Sequence, residues 1–261
     1  MEPTPKAIHT VSVLSVRMMN ATFCRIDTEP EKPLKGLLPG QFAQILIPGE
    51  PGVFLRRPFS IHDYSEKKNI LSFLVQLVGK GSRRLSRLQP GEELDIILPL
   101  GNAFNIPDKG KMLLLGGGCG LAPLLFLSRS IARKELKMDV VFGARNAHAL
   151  IPTNDFVKFS HVEVCTDDGS AGCEGNIMMH PLLQDEAPEY EKVFACGPEP
   201  MLHAVAKWAK NKNIECEVSL ENTMACGFGV CLCCVTETTE GRKCVCTEGP
   251  VFNINQLPWP I

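Results

Sequence analysis

The chain has 261 residues, of which 44% are hydrophobic and 21% charged, with a formal net charge of −2. This suits one large or two moderate globular domains plus an appendage. So balanced a charge excludes an electrostatic pull toward nucleic acid or an anionic membrane, and the N-terminal residues 1–6 lack the basic and apolar regions of a secretion signal.

Short apolar stretches at residues 10–16, 41–47, 70–78 and 93–98 are separated by turn signals such as Leu38-Pro39-Gly40 and Gln89-Pro90-Gly91. That rhythm predicts a small antiparallel β-barrel over residues 1–105, with one short helix at 82–88. From Lys111 the pattern alternates. Strands are expected at 112–115, 138–142, 162–165, 193–195 and 215–219, with helices at 123–134 and 201–211. Alternation of this kind predicts a doubly wound parallel sheet over residues 106–219. Its apolar run at 112–127 is broken by Gly116, Gly117, Gly118, Gly120 and Pro123 and is shorter than the roughly 20 residues that span a bilayer. Residues 220–261 form a third, cysteine-rich module with a predicted hairpin of 234–238 and 243–246. The expected architecture is therefore multidomain, β and α/β, with no internal repeat and no low-complexity linker.

Three segments could seat nucleotides. The run Gly116-Gly117-Gly118-Cys119-Gly120 joins a strand to a helix, where glycine lets a backbone approach a pyrophosphate; it is not the Rossmann G-x-G-x-x-G, and a bare tight turn is the alternative. In the barrel, Arg57-Pro58-Phe59-Ser60 sets a cation, an aromatic ring and a hydroxyl on an extended segment, with Phe59 and Ser60 expected on opposite faces. Val78-Gly79-Lys80-Gly81-Ser82 opens the short helix, another natural phosphate seat.

Six of the twelve cysteines fall between Cys226 and Cys246. Without a secretion signal they imply thiols or metal ligands in a reducing cytoplasm. Cys226, Cys231 and Cys234 have the C-x4-C-x2-C spacing of plant-type [2Fe–2S] proteins. A fourth ligand is either Cys244 or Cys246, which alternation places on one side of a strand. Structural zinc usually takes two short C-x2-C knuckles, and here there is one. The six histidines show no metal spacing.

Arg57–Ser60, Gly79–Ser82, Pro99-Leu100-Gly101-Asn102, Gly116–Pro123 and Ala195-Cys196-Gly197-Pro198 follow in the order found in the ferredoxin–NADP reductase superfamily. With the cysteine block and Cys246-Thr247-Glu248-Gly249-Pro250-Val251-Phe252, the whole length resembles the family of electron transfer subunits of NAD-dependent dihydroorotate dehydrogenase B. The resemblance implies FAD held by Arg57, Pro58, Phe59, Ser60, Leu74, Val75, Gln76, Gly81 and Ser82. It implies a nicotinamide nucleotide near Gly118, Gly120, Cys196, Gly197 and Pro198. It also implies Cys246 as the fourth [2Fe–2S] ligand, leaving Cys233 and Cys244 as bystanders. Phe59 stands where many members have Tyr, which keeps stacking and loses a hydroxyl. NADP-using relatives tend to carry Ser and Arg where this chain has Asp167 and Asp168, so a carboxylate at Asp168 favours NAD(H) by repelling a 2′-phosphate. The implied partner is an FMN-containing catalytic subunit that oxidises dihydroorotate in pyrimidine biosynthesis, in a cytoplasmic heterotetramer of two of each. The apolar tail 251–261, with Trp259, is expected either to meet that partner or to pack on the barrel. The alternatives are a sulfide dehydrogenase subunit, an NADH-dependent ferredoxin:NADP oxidoreductase, a stand-alone NADH reductase, and a zinc-stabilised non-enzymatic module.

Overall fold

The barrel is built from β1 (Ala7–Met18), β2 (Phe23–Pro30), β3 (Phe42–Ile45), β4 (Arg57–Ser65), β5 (Ile70–Gln76) and β6 (Glu93–Leu100). A short helix, α1 (Lys80–Leu85), lies between the last two strands. This is a computed structural model that describes residues 4–260; residues 1–3 of the segment read for a secretion signal, and Ile261 of the tail, lie outside the described residues. The strands close in the order β1-β2-β5-β4-β3-β6. Strand β6 buries Leu94, Ile96, Leu98 and Leu100, the period of two that turns one face into the barrel. Strands β2 and β4 were not among the predicted stretches. β2 carries Arg25, Asp27 and Glu29 between its inward residues, and β4 opens on Arg57-Pro58, so neither reads as an apolar run.

The second unit comprises β7 (Lys111–Gly117), α2 (Leu124–Arg133), β8 (Lys137–Ala144), β9 (His161–Thr166), β10 (Cys173–Glu174), α3 (Pro181–Gln184), β11 (Lys192–Cys196), α4 (Glu199–Asn211) and β12 (Glu215–Ser219). All five predicted strands and the helix predicted at 201–211 lie within these elements, and the helix predicted at 123–134 is found one residue shorter at each end. The ladders among these strands are parallel, in the order β10-β9-β8-β7-β11-β12. Met112–Leu115 of β7 is wholly buried, as expected of a central strand covered on both faces.

The cysteine-rich module has one hairpin, β13 (Val235–Thr238) with β14 (Gly241–Cys244), and then β15 (Val251–Asn253). β15 adds antiparallel to β12, with Ser219 opposite Val251, and so completes a seven-stranded sheet. Residues 251–257 are therefore not a free surface. Val251, Phe252, Ile254 and Leu257 are buried, and Trp259 stacks on His203 of α4 at 4.2 Å between ring centroids. Asn102 of the barrel clamps the approach to β15: its amide donates to Glu248 O and Val251 O and accepts from Val251 N, at 2.8–2.9 Å.

Barrel and sheet are joined by buried polar contacts. His62 Nδ1 donates to Ala122 O at 2.8 Å, Arg129 pairs with the nearly inaccessible Asp63 at 2.6 Å, and Arg25 bridges Asp27 and Asp155. Removing one member of such a buried pair costs about 3–5 kcal/mol, because the other charge is left stranded. Among the described residues, no helix is long and apolar enough to cross a membrane.

Candidate functional site

A cleft of about 250 Å³ separates the barrel from the sheet. Pro58, Phe59 and Ser60 of β4 line it with Leu74 and Gln76 of β5, against Cys119, Ala122 and Glu221 on the far wall. Both residues touch the cleft, but Ser60 lies opposite Phe42 of the cleft wall, whereas Phe59 lies opposite Ala43 and packs against the barrel core, so the alternation of the strand holds. Residues 57–60 pair only with β3; pairing with β5 begins at Ile61, so this stretch presents an open edge to the cleft. Val75 is not in the cleft wall but fully buried in the barrel core. Arg57 lies beside the cleft with its guanidinium on Leu55 O and Arg56 O. At α1, the Ser82 hydroxyl accepts from Val78 N and Gly79 N at 3.0 and 3.1 Å. The first amide bonded into the helix is that of Arg83, so those of Lys80, Gly81 and Ser82 lack intrahelical carbonyls.

The centre of the parallel sheet carries the second group. Chain order runs outward from β7 toward β9 on one side, and through β11 to β12 on the other, so the switch point lies between β7 and β11. The glycine turn leaves β7 there and Cys196-Gly197-Pro198 leaves β11. They touch: a Cβ at Gly120 would lie 1.9 Å from Cys196 O, and one at Gly117 would lie 3.0 Å from Pro198 Cδ. Only glycine permits that approach. Gly118 sits at φ +55° with open space in front of it. Asp168 follows β9 at the same edge of the sheet; its Oδ1 accepts from Ser170 N and Ser170 Oγ, which hold the carboxyl below its usual range.

Sequence reasoning missed Glu221, since a lone acid ahead of a cysteine block carries no periodic signal. Cys119 Sγ donates to both oxygens of the Glu221 carboxylate at 3.3 Å. Burial, and then this carboxylate, push the Cys119 thiol up to about 12. Burial raises Cys196 and Glu221 as well. Both thiols beside the cleft are thus protonated at neutral pH and are not thiolate nucleophiles.

The third group is the cysteine loop. Phe228 N and Cys231 N both donate to Cys226 Sγ at 3.5 Å, Gly229 N donates to Cys246 Sγ at 3.1 Å, and Cys246 N donates to Cys234 Sγ at 3.4 Å. Against burial, the amides of Phe228 and Cys231 and the Cys231 thiol draw the Cys226 thiol down to about 6. Burial and the neighbouring Cys234 thiol push Cys246 up to about 12. Cys231 thus lies against Cys226, and Cys234 against Cys246. The predicted strand at 243–246 stops at Cys244: Thr247 N and Glu248 N fold back onto Cys244 O, and this turn carries Cys246 inward to complete burial. Cys244, half-buried, also reaches Cys234, whereas Cys233 is exposed. Among the described residues, no three His, Cys, Asp or Glu side chains converge as a single ion would require.

Residues 221–258 match the model of the iron–sulfur cluster binding domain of dihydroorotate dehydrogenase B. Full-length similarity reaches further. The chain is 37% identical over 218 residues to the dihydroorotate dehydrogenase B (NAD+) electron transfer subunit of Caldanaerobacter subterraneus, covering 82% of this chain and 84% of that one. It is 32% identical to the same subunit of Desulforamulus reducens over 97% of this chain and 98% of that one. The chain belongs to this family of electron transfer subunits. Among solved structures, that of an NADH-dependent reduced ferredoxin-NADP oxidoreductase superposes with a TM-score of 0.85 at 26% identity, covering 99% of this chain and 92% of that one. Ferredoxin reductase in carbazole 1,9a-dioxygenase shares the fold, with a TM-score of 0.69 at 23% identity over 82% of this chain and 68% of that one. For a dihydroorotate dehydrogenase B electron transfer subunit, the donor set fits its expected groups. Four thiols, three of them served by backbone N–H donors, suit an iron–sulfur cluster, an open strand edge with an aromatic ring and a hydroxyl suits a flavin, and the carboxyl ends of a parallel sheet suit a dinucleotide.

Proposed function

We infer that the chain carries electrons between a dihydroorotate-oxidising partner subunit and NAD+. In this reading FAD occupies the barrel cleft, NAD(H) lies across the carboxyl ends of β7, β9 and β11, and Cys226, Cys231, Cys234 and Cys246 hold a [2Fe–2S] cluster. The observation that carries it is the shared core. One apolar cluster contains Phe42 from the cleft wall, Leu115 and Ala195 from the two central strands, and Cys234 and Cys246 from the thiol group. The three sites are walls of one packed body.

Bound flavin accepts two electrons as a hydride from nicotinamide and exchanges them singly with a cluster, or the reverse. The chain's residues bind and orient. The Phe59 ring and Ser60 hydroxyl flank the ring system, with Pro58, Leu74 and Gln76 around it and Val75 supporting β5 from within the barrel. Arg57 reaches a phosphate on releasing its backbone carbonyls, and the amides of Gly81 and Ser82 receive the pyrophosphate. Gly118, Gly120, Cys196, Gly197 and Pro198 seat the nicotinamide half. Asp168 accepts a ribose hydroxyl and repels a 2′-phosphate. Phe228, Val230 and Leu232 expose apolar side chains between the cysteines, a surface suited to the FMN-bearing catalytic subunit in a cytoplasmic assembly of two of each.

The test mixes the purified chain with a dihydroorotate-oxidising FMN protein from the same cell and follows NAD+ reduction by dihydroorotate. Activity only with both proteins is expected. Activity with sulfide or ferredoxin in place of dihydroorotate would reassign the partner, and protein lacking flavin absorbance and a reduced-cluster paramagnetic resonance signal would overturn the electron-transfer reading.

A further inference from the structure

One polar side chain between the barrel and the cysteine loop has no partner. Gln44 on β3 is fully buried, yet neither its Nε2 nor its Oε1 makes a hydrogen bond. Across the ladders it faces Pro58 on β4 and Ile97 on β6, neither of which has a polar side chain. An amide stranded in this way is costly unless a ligand completes it. Residues two apart on a strand share a face, so Gln44 points to the same side as Phe42, which lines the cleft. There it meets the cysteine loop. A Cβ at Gly227 would lie 2.6 Å from Gln44 Cγ and 2.9 Å from Nε2, so the nitrogen is the end of the amide turned to the loop. Gly227 directly follows Cys226 and holds φ at +79°, which lets the loop lie on the amide with no side chain between them.

We propose that the Gln44 side-chain N–H donates a hydrogen bond to a sulfur of the cluster held by Cys226, Cys231, Cys234 and Cys246, so that a barrel residue positions this centre and sets its potential. The inference rests on reading those cysteines as cluster ligands. The other N–H donors to these sulfurs, from Phe228, Gly229, Cys231 and Cys246, are backbone groups of the cysteine-rich module itself. Gln44 differs in coming from the strand that also walls the cleft. A donor to sulfur is worth more when the acceptor carries more negative charge, so it favours the reduced cluster and raises its potential.

Redox titration of the wild-type, Gln44→Leu and Gln44→Glu proteins, followed by paramagnetic resonance of the reduced cluster, tests this. Leucine fills similar space without a donor. A fall of about 59 mV, equivalent to a tenfold change in a one-electron equilibrium, is expected, with flavin and cluster content unchanged. Glutamate removes the donor and adds an acceptor, shifting the potential further the same way. A leucine variant with wild-type potential and line shape overturns the proposal. So does a glutamate variant whose potential is not lowered, and that result stands even if the leucine variant does not fold. Wild-type protein without any reduced-cluster signal overturns the ligand reading itself, which separates the two failures.

Discussion

Replacing Gly120 with alanine forces apart the two turns that meet at the centre of the sheet. The new Cβ would lie 1.9 Å from Cys196 O and 2.2 Å from the Cys196 carbonyl carbon. Non-bonded heavy atoms rest roughly 3.5 Å apart, so the turns must separate by about 1.5 Å. Neither side yields easily. Both are backbone, and the β7–β11 ladder holds them up to the Gly116–Cys196 pair. Overpacking of this kind costs about 1–3 kcal/mol, and a displacement of about 1 Å in a positioning element can cost about a hundredfold in rate. NADH-dependent dye reduction should therefore fall by about two orders of magnitude, while flavin absorbance and the reduced-cluster signal persist. Gly118→Ala is the control. Its Cβ meets nothing within 4 Å, so inside the chain it carries only the left-handed backbone cost of about 1–2 kcal/mol, and any further loss reports nucleotide contact. A Gly120→Ala protein that folds and keeps the wild-type KM for NADH and the wild-type turnover would refute the assignment of these turns to the nicotinamide site.

Cys246→Ser is expected to abolish the reduced-cluster resonance and Cys244→Ser to retain it; the opposite pattern would make Cys244 the fourth ligand. A pH effect follows from His62. Burial depresses its pKa from 6.5 to about 4, so the unfolded chain binds the proton that the folded one refuses. This part of the stability is complete above pH 6.5 and declines as pH falls toward 4, by about 3 kcal/mol in all. In chemical denaturation at pH 7 and pH 5, His62→Gln should show a smaller difference than wild type, and an equal difference would contradict the buried neutral imidazole.

The parallel half of the molecule was legible because its strands are apolar runs between glycine turns and helices, a pattern that burial on both faces imposes. The barrel was legible only in outline. β2 hides its inward Cys24, Ile26 and Thr28 among Arg25, Asp27 and Glu29, of which Arg25 pairs with both Asp27 and Asp155. The three-dimensional site was harder still. Motif order located Pro58, Phe59 and Ser60, and a strand with one neighbour missing lets residues of both its faces touch the cleft, which alternation alone does not show. Alternation also could not separate Cys244 from Cys246, since the strand ends between them and a turn decides which is buried. Glu221 and Gln44 left no trace in the sequence. What singles them out is the company they keep: two thiols beside one, an empty hydrogen-bonding shell around the other. The tail, expected either to meet a partner or to pack on the barrel, pairs instead with β12 and stacks on α4, because the place of an edge strand cannot be judged before its sheet is known.

That edge strand ties both ends of the cysteine-bearing segment to the sheet. Ser219 and Val251 are cross-strand partners and Leu220 N donates to Pro250 O, so the cysteine-bearing segment between them leaves the sheet and returns to it at adjacent positions. The ladder closes this excursion by backbone pairing, which offsets part of the entropy of closing it. Serine variants of single cysteines in the segment should accordingly keep the β12–β15 pairing and the fold of the rest of the chain, read by far-ultraviolet circular dichroism.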